Sequence, residues 1–182
     1  MGYLRLLGII PLVLFFIKLK SDMRRGKAGD SLWICHVSNL GLSFGLILNL
    51  PILVRLSVIC IIYGFPLWIL EVIRTKEIIV PSILTHLTGL GIGLFAISKV
   101  RMTETAWIYA LAWFVFIQQI SRFVTPVVLN VNLAHRVHNG WEKFFKSYKS
   151  FWLCSKMVEG TSLWCIVKVL QSVFPVTYLT WR

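Results

Sequence analysis

A cysteine and a histidine that could carry out nucleophilic chemistry lie near the starts of two apolar segments. These residues are Cys35 and His86. A thiol becomes a strong nucleophile when a neighbouring base accepts its proton, and histidine is a common base near neutral pH. His36 adjoins Cys35, so on a helix their side chains would diverge by about 100°. His86 is therefore the better base, and the sequence predicts a catalytic Cys35–His86 pair suited to acyl transfer on a lipid ester.

Further polar residues fall at a similar predicted depth once the apolar segments alternate across a bilayer. They share a layer about 10–15 Å thick in the cytoplasmic half. Asparagine amides could hold a developing oxyanion, and a cation inside a span needs a partner because it costs about 3 kcal/mol. Glu71 is a candidate partner for that cation, Arg122. The predicted substrate-binding residues are His36, Asn39, Gln118, Arg122, Asn130 and Asn132. Taken singly, the histidines and Gln118 are also explained by hydrogen bonds between helices.

The composition indicates that these residues lie in a membrane protein. Of the 182 residues, 57% are hydrophobic and 14% are charged, whereas soluble domains have about 45–50% and about 25%. Too little polar surface exists to coat a soluble fold, and four scattered cysteines make no disulfide framework. The predicted fold class is all-α, a polytopic integral membrane helix bundle in a single transmembrane domain over 1–182. About six transmembrane helices are predicted, at 3–19, 31–50, 52–71, 79–98, 106–129 and 150–173.

The net charge of +12 is mainly an orientation signal. Most basic residues fall in the connections after spans one, three and five, which places these connections in the cytoplasm. Residues 131–148 mix basic and apolar side chains and predict an amphipathic helix on the cytoplasmic leaflet. Because the basic residues sit in short connections between apolar runs, nucleic acid is excluded as a partner. The predicted partners are membrane lipids, and the predicted location is a multi-pass position in the cell membrane if the source is bacterial.

Three short motifs around these residues resemble motifs of a known family. They are Leu-Trp-Ile-Cys-His-Val at 32–37, Thr-His-Leu at 85–87, and Val-Thr-Pro-Val-Val-Leu-Asn-Val-Asn-Leu at 124–133. Over about 31–145 the chain resembles the transmembrane protein 164 family of membrane phospholipid acyltransferases, and also related small bacterial membrane proteins with an Asn-Val-Asn ending. The resemblance implies catalysis by Cys35 and His86, with transfer of the acyl chain to another lipid.

Two other classes of function stay open. The first is a metal or haem protein, because the four histidines include His135-x-x-His138, which share a helix face at this spacing. No carboxylate or cysteine pair completes a familiar ligand pattern, so neither metal ligands nor a cofactor are predicted. The second is a non-enzymatic subunit of a membrane complex, with a membrane-protein partner or a second copy of the chain.

Overall fold

The computed structural model describes residues 2–138 and 140–175, and every regular element within them is a helix. The α-helices are α1 (Gly2–Arg24), α2 (Ile34–Ile47), α3 (Pro51–Thr75), α4 (Val80–Ile97), α5 (Ala106–Val124) and α6 (Tyr148–Val173). Short 3-10 helices at Ala28–Leu32 and Val131–Leu133 precede α2 and follow α5. The predicted all-α class is confirmed.

Four of these helices, α1, α3, α4 and α5, are long and apolar enough to cross a membrane. Helix α2 is apolar but has 14 residues, which is about 21 Å against a hydrocarbon thickness of about 30 Å. Helix α6 has 26 residues but is less apolar, because it carries Lys156, Glu159 and Lys168. Length and composition therefore support a membrane location for four of the six predicted spans.

Helix α3 is the centre of the bundle, with contacts to α2, α4, α5 and α6. Helix α1 packs against α2 and α4 on one side of it. The α2–α3 pair approaches closely because glycines of α2 face α3. A Cβ on Gly45 would lie 2.8 Å from the backbone nitrogen of Val54. The side chains between these helices are fully buried, including Leu42, Leu46 and Ile59.

Helix α2 begins well inside the bundle rather than at its end. Gly64, near the middle of α3, lies against Cys35, since a Cβ on Gly64 would be 3.2 Å from the Cys35 Cβ. From Gly64, α3 continues to Thr75, which is about 16 Å at 1.5 Å per residue. The start of α2, and Cys35 with it, is therefore surrounded by other helices.

The segment that follows α5 differs from its prediction. The described residues from 134 to 147 form turns and bends, not the amphipathic helix predicted over 131–148. Asn130, Asn132 and Leu133 have φ of 45°, 53° and 55°, a left-handed conformation that a right-handed helix cannot contain. This conformation turns the chain back into the bundle. The contacts that the segment makes there stabilise it more than an amphipathic helix would, although its apolar residues have helical spacing.

A buried charge cluster lies at the C-terminal end of α1. Asp22 is fully buried and accepts hydrogen bonds from Lys18, Arg25 and the Ser31 hydroxyl, the last at 2.7 Å. Lys18 is itself buried. These bonds connect α1 to the 3-10 helix before α2. From the sequence, this region was predicted only as a connection rich in basic residues.

The contact between α2 and α4 depends on a glycine. The Asn39 amide of α2 occupies the space in which a Cβ on Gly89 of α4 would lie, whereas a Cβ on Gly91 would meet nothing within 4 Å. Helices can therefore approach at Gly89 only while that position has no side chain.

We expect Gly89→Ala to destabilise the bundle by about 1–3 kcal/mol, because the new methyl overlaps Asn39. Gly91→Ala, on the exposed side of the same helix, is the matched control. It should be neutral or stabilise by up to about 1 kcal/mol through helix propensity. Thermal unfolding in detergent measures both. Equal stability of the two variants would contradict the packing described here.

Candidate functional site

The structure brings one cysteine and two histidines of α2 and α4 together. Cys35, His36 and His86 each offer one donor atom, and the three atoms lie within 4.8 Å of one another. The two imidazole rings meet edge to face, with centroids 4.9 Å apart. All three residues are buried, with exposed fractions of 7%, 4% and 0%. We call these residues the Cys35 cluster. The predicted proximity of Cys35 to His86 is present, and His36 joins them.

The ring of His86 is fixed along one edge and across one face. Its Nδ1 lies 2.8 Å from the Ser82 carbonyl oxygen one turn earlier in α4. A carbonyl only accepts hydrogen bonds, so Nδ1 carries the proton and Nε2 carries the lone pair. The Trp68 indole stacks on the ring with centroids 4.3 Å apart and donates to the Ser82 hydroxyl at 3.1 Å. His86 is therefore held with its basic nitrogen available.

Several polar atoms near this cluster are buried without a hydrogen-bond partner. They include His36 Nδ1, His86 Nε2 and Asn39 Oδ1. Leaving a buried polar atom unpaired costs about 1–3 kcal/mol. The Asn39 amide nitrogen is used locally, because it donates to the Cys35 carbonyl at 2.8 Å. Unpaired atoms on two facing helices mark the cluster as a place where a ligand or a reacting group would gain partners.

The position of Cys35 depends on a side chain that is distant in the sequence, since Asn132 lies 98 residues after Ile34. Asn132 Oδ1 accepts from the Ile34 backbone N–H at 2.8 Å, at the first residue of α2. Asn132 Nδ2 donates to the Leu32 carbonyl at 2.8 Å and to the Ser121 hydroxyl at 3.0 Å. Asparagine is a favoured residue at the N-terminus of a helix, where its side chain usually caps its own helix. Here the side chain of Asn132 caps a helix that lies 98 residues earlier in the chain. Asn132 therefore holds the helix start that carries Cys35.

Gln118 supports this cap from α5. Its Nε2 donates to the Asn132 carbonyl at 2.8 Å, and its Oε1 accepts from the Trp152 indole of α6 at 2.9 Å. The Tyr148 hydroxyl, at the start of α6, donates to the Leu133 carbonyl at 2.9 Å. Side chains of α5 and α6 thus bind the backbone around Asn132, and the amide of Gln118 is engaged within the bundle.

Two other predicted substrate-binding residues, Asn130 and Arg122, make contacts outside the cluster. Asn130 Oδ1 accepts from the His135 backbone N–H at 3.0 Å and so stabilises its own loop. Arg122 is exposed, with its guanidinium carbon 5.6 Å from the centre of the Tyr148 ring. Glu71, the candidate partner of Arg122, instead pairs with Arg74 at 2.7 Å, because these two residues are neighbours on one helix face. Asn130, Arg122 and Glu71 are therefore engaged with residues outside the Cys35 cluster.

Sequence reasoning assigned no role to Ser82 or Trp68, which support the cluster, and no partner to the charges of α6. Ser82 and His86 are four residues apart, a spacing that could have signalled their bond. Lys156 and Glu159 form a buried ion pair at a spacing of three, with Lys156 Nζ 4.5 Å from the centre of the Phe114 ring. The Trp68 contact had no local signal, because it joins two helices.

The Asn132 cap predicts an asymmetry between two asparagines. Asn132→Ala should cost about 1–3 kcal/mol for each buried backbone group left unpaired at the start of α2. Asn130→Ala is the matched control, since both residues have positive φ and share the strain of placing alanine there. It should cost less and leave amide exchange in α2 unchanged. Thermal unfolding and hydrogen exchange in detergent measure this, and an equal or larger effect at Asn130 would contradict it.

Comparisons of the chain with protein-family models, with curated proteins and with solved structures found no match. The resemblance of residues 31–145 to the transmembrane protein 164 family therefore stays a prediction from its motifs. The Cys35 cluster is the basis for the functional proposals that follow.

Proposed function

We propose that this protein is a membrane enzyme that transfers acyl chains between lipids through a thioester on Cys35. The observation that supports this is the Cys35 cluster, in which a thiol lies beside an imidazole with a buried, unpaired Nε2. The bond from His86 Nδ1 to the Ser82 carbonyl favours the tautomer that a general base requires.

In the first step the Cys35 Sγ attacks the carbonyl carbon of a lipid ester. The thiol proton passes to His86 Nε2 as the S–C bond forms. The ester C–O bond then breaks, and Nε2 returns the proton to the leaving oxygen. The products are a lysolipid and an acyl thioester on Cys35. The partial positive charge of the α2 N-terminus favours the negative charge that develops beside Cys35.

In the second step a hydroxyl of the acceptor lipid attacks the thioester. Its proton passes to His86 Nε2, its oxygen bonds to the acyl carbon, and the C–S bond breaks. The Cys35 sulfur takes the proton back from Nε2, so the enzyme returns to its starting state. Asn132 acts here as a positioning residue through the start of α2, and Asn39 acts through its bond to the Cys35 carbonyl.

We place the cluster in the cytoplasmic third of the bilayer, within six crossings. His86 is six residues from the start of α4, about 9 Å in depth. Helix α2 is too short to cross the bilayer alone. The 3-10 helix Ala28–Leu32 and the capping segment around Asn132 would fill the rest of the bilayer thickness on the side where α2 begins. Positive residues in the connections after α1, α3 and α5 support a cytoplasmic side for them. Exposed Arg122, in the last turn of α5, is suited to a lipid phosphate.

Trp68 is where an acyl chain would enter. It is half-buried and covers one face of His86. Rotation of the indole about its side-chain bonds exposes that face to the lipid around α3 and α4. An acyl chain can then reach Cys35 without passing through water, which protects the thioester from hydrolysis.

Acyl transfer in proteoliposomes tests this function. The substrates are a phospholipid with a labelled acyl chain and an unlabelled lysophospholipid acceptor. Cys35→Ser and His86→Gln should each lower the transfer rate by about 100-fold or more, the usual size of a lost acid–base or nucleophilic group. Cys60→Ser, at a fully buried cysteine of α3, is the control and should retain transfer. Absence of transfer in the unmodified protein, or full transfer in both cluster variants, would contradict the proposal.

A further inference from the structure

We infer that Cys35, His36 and His86 bind one thiophilic divalent cation such as Zn²⁺, through the Cys35 sulfur and one ring nitrogen of each histidine. This inference goes beyond acyl transfer, because His36 has no step in that mechanism. Metal binding itself does not depend on the proposed function.

The geometry of the three donor atoms fits a small ion. They lie within 4.8 Å of one another, and a tetrahedral zinc site with bonds of about 2.0–2.3 Å separates its ligand atoms by about 3.5 Å. Because the His86 ring is held in place, we expect small rotations of the Cys35 and His36 side chains to close that difference. One thiolate and two imidazoles favour zinc and similar metals over Mg²⁺ and Ca²⁺, which take oxygen ligands.

Unpaired nitrogens are a second and independent observation. His36 Nδ1 and His86 Nε2 have no hydrogen-bond partner although their side chains are at least nine-tenths buried. A bound cation would supply the missing partner to both. The other nitrogen of His86 bonds to the Ser82 carbonyl, and metal-binding histidines commonly make such a bond to hold the ring in place.

The histidine pair indicated by the sequence is a poorer candidate. His135 lies in the loop after α5, where its Nε2 is 3.2 Å from the Thr125 hydroxyl. Among the described residues, the Cys35 cluster is the group of three or more metal-binding side chains whose donor atoms lie close together. Cys35 and His36 are adjacent in the sequence, but His86 comes from another helix, so the three ligands form no short sequence motif.

Metal binding at the cluster would regulate the proposed enzyme. The ion replaces the thiol proton, which is released to solvent, and no group is oxidised or reduced. The bound sulfur and His86 Nε2 are then unavailable for attack and proton transfer. This consequence rests on the proposed acyl transfer, so it predicts reversible inhibition by Zn²⁺ and recovery with a chelator.

Cobalt binding to the purified protein tests the inference. The purified, reduced and metal-stripped chain in detergent is titrated with Co²⁺, which reports thiolate ligation by a charge-transfer band in the near ultraviolet. One Co²⁺ should bind per chain, and Zn²⁺ should displace it. Cys35→Ser, His36→Gln and His86→Gln should each remove the band or weaken binding by at least about 10-fold.

Matched controls separate the cluster from other thiols and from misfolding. Cys60→Ser, Cys154→Ser and His135→Gln should bind Co²⁺ like the unmodified chain. Each variant is also compared by circular dichroism and by elution as a single species, and the cluster variants should keep the unmodified helix content. Absence of the band in the unmodified chain, an unchanged Co²⁺ affinity in folded His36→Gln, or loss of the band in Cys154→Ser would overturn the inference.

The titration also distinguishes this inference from the proposed function, because it contains no lipid substrate. Acyl transfer measured in the presence of a chelator tests the enzyme alone. A chain that binds Co²⁺ at the cluster but transfers no acyl chain would support the metal site and overturn its regulatory role. A chain that transfers acyl chains but shows no cobalt band would overturn the metal site alone.

Discussion

The rest of the site depends on how the first backbone groups of α2 are paired inside the bundle. A helix that begins among other helices cannot rely on water, and a buried backbone group left unpaired there costs about 1–3 kcal/mol. Asn132 meets this need with a side-chain oxygen for the Ile34 N–H and a side-chain amide for the Leu32 carbonyl. The same two bonds place Cys35 one residue into the helix, opposite His86. A structural requirement of the backbone thus determines where the thiol lies.

This constraint also explains the irregular chain after α5. To bring Asn132 to α2, helix α5 ends at Val124 and the backbone turns through positive φ at Asn130, Asn132 and Leu133. Irregular backbone inside a helix bundle is tolerated where protein groups satisfy its hydrogen bonds. Gln118 and Tyr148 provide these bonds by donating to the carbonyls of Asn132 and Leu133. A 3-10 turn with two left-handed asparagines is therefore stable in a place where a regular helix would leave α2 uncapped.

The sequence predicted the parts of this structure that follow from composition and depth. Apolar runs predicted an all-helical chain, and alternating them across a bilayer predicted that Cys35 and His86 would meet. Adjacent positions on a helix argued against a joint role for His36 and Cys35, yet a ring from α4 lies close to both. The Asn132 cap could not be predicted, because it joins residues 98 apart in the chain. The ion pairs Lys18–Asp22 and Lys156–Glu159 could have been predicted, because their residues are four and three positions apart on a helix. The basic residues were instead counted only as signals of orientation.

The central functional claim is that Cys35 carries an acyl chain during turnover, and intact-protein mass spectrometry tests it most directly. The protein is incubated with a phospholipid of defined acyl chain, quenched in acid and weighed. The account predicts an added mass of one acyl group that hydroxylamine removes and that maps to the peptide containing Cys35. An adduct confined to exposed Cys154 or Cys165, or a protein that stays unmodified while lipid acyl transfer proceeds, would contradict the account.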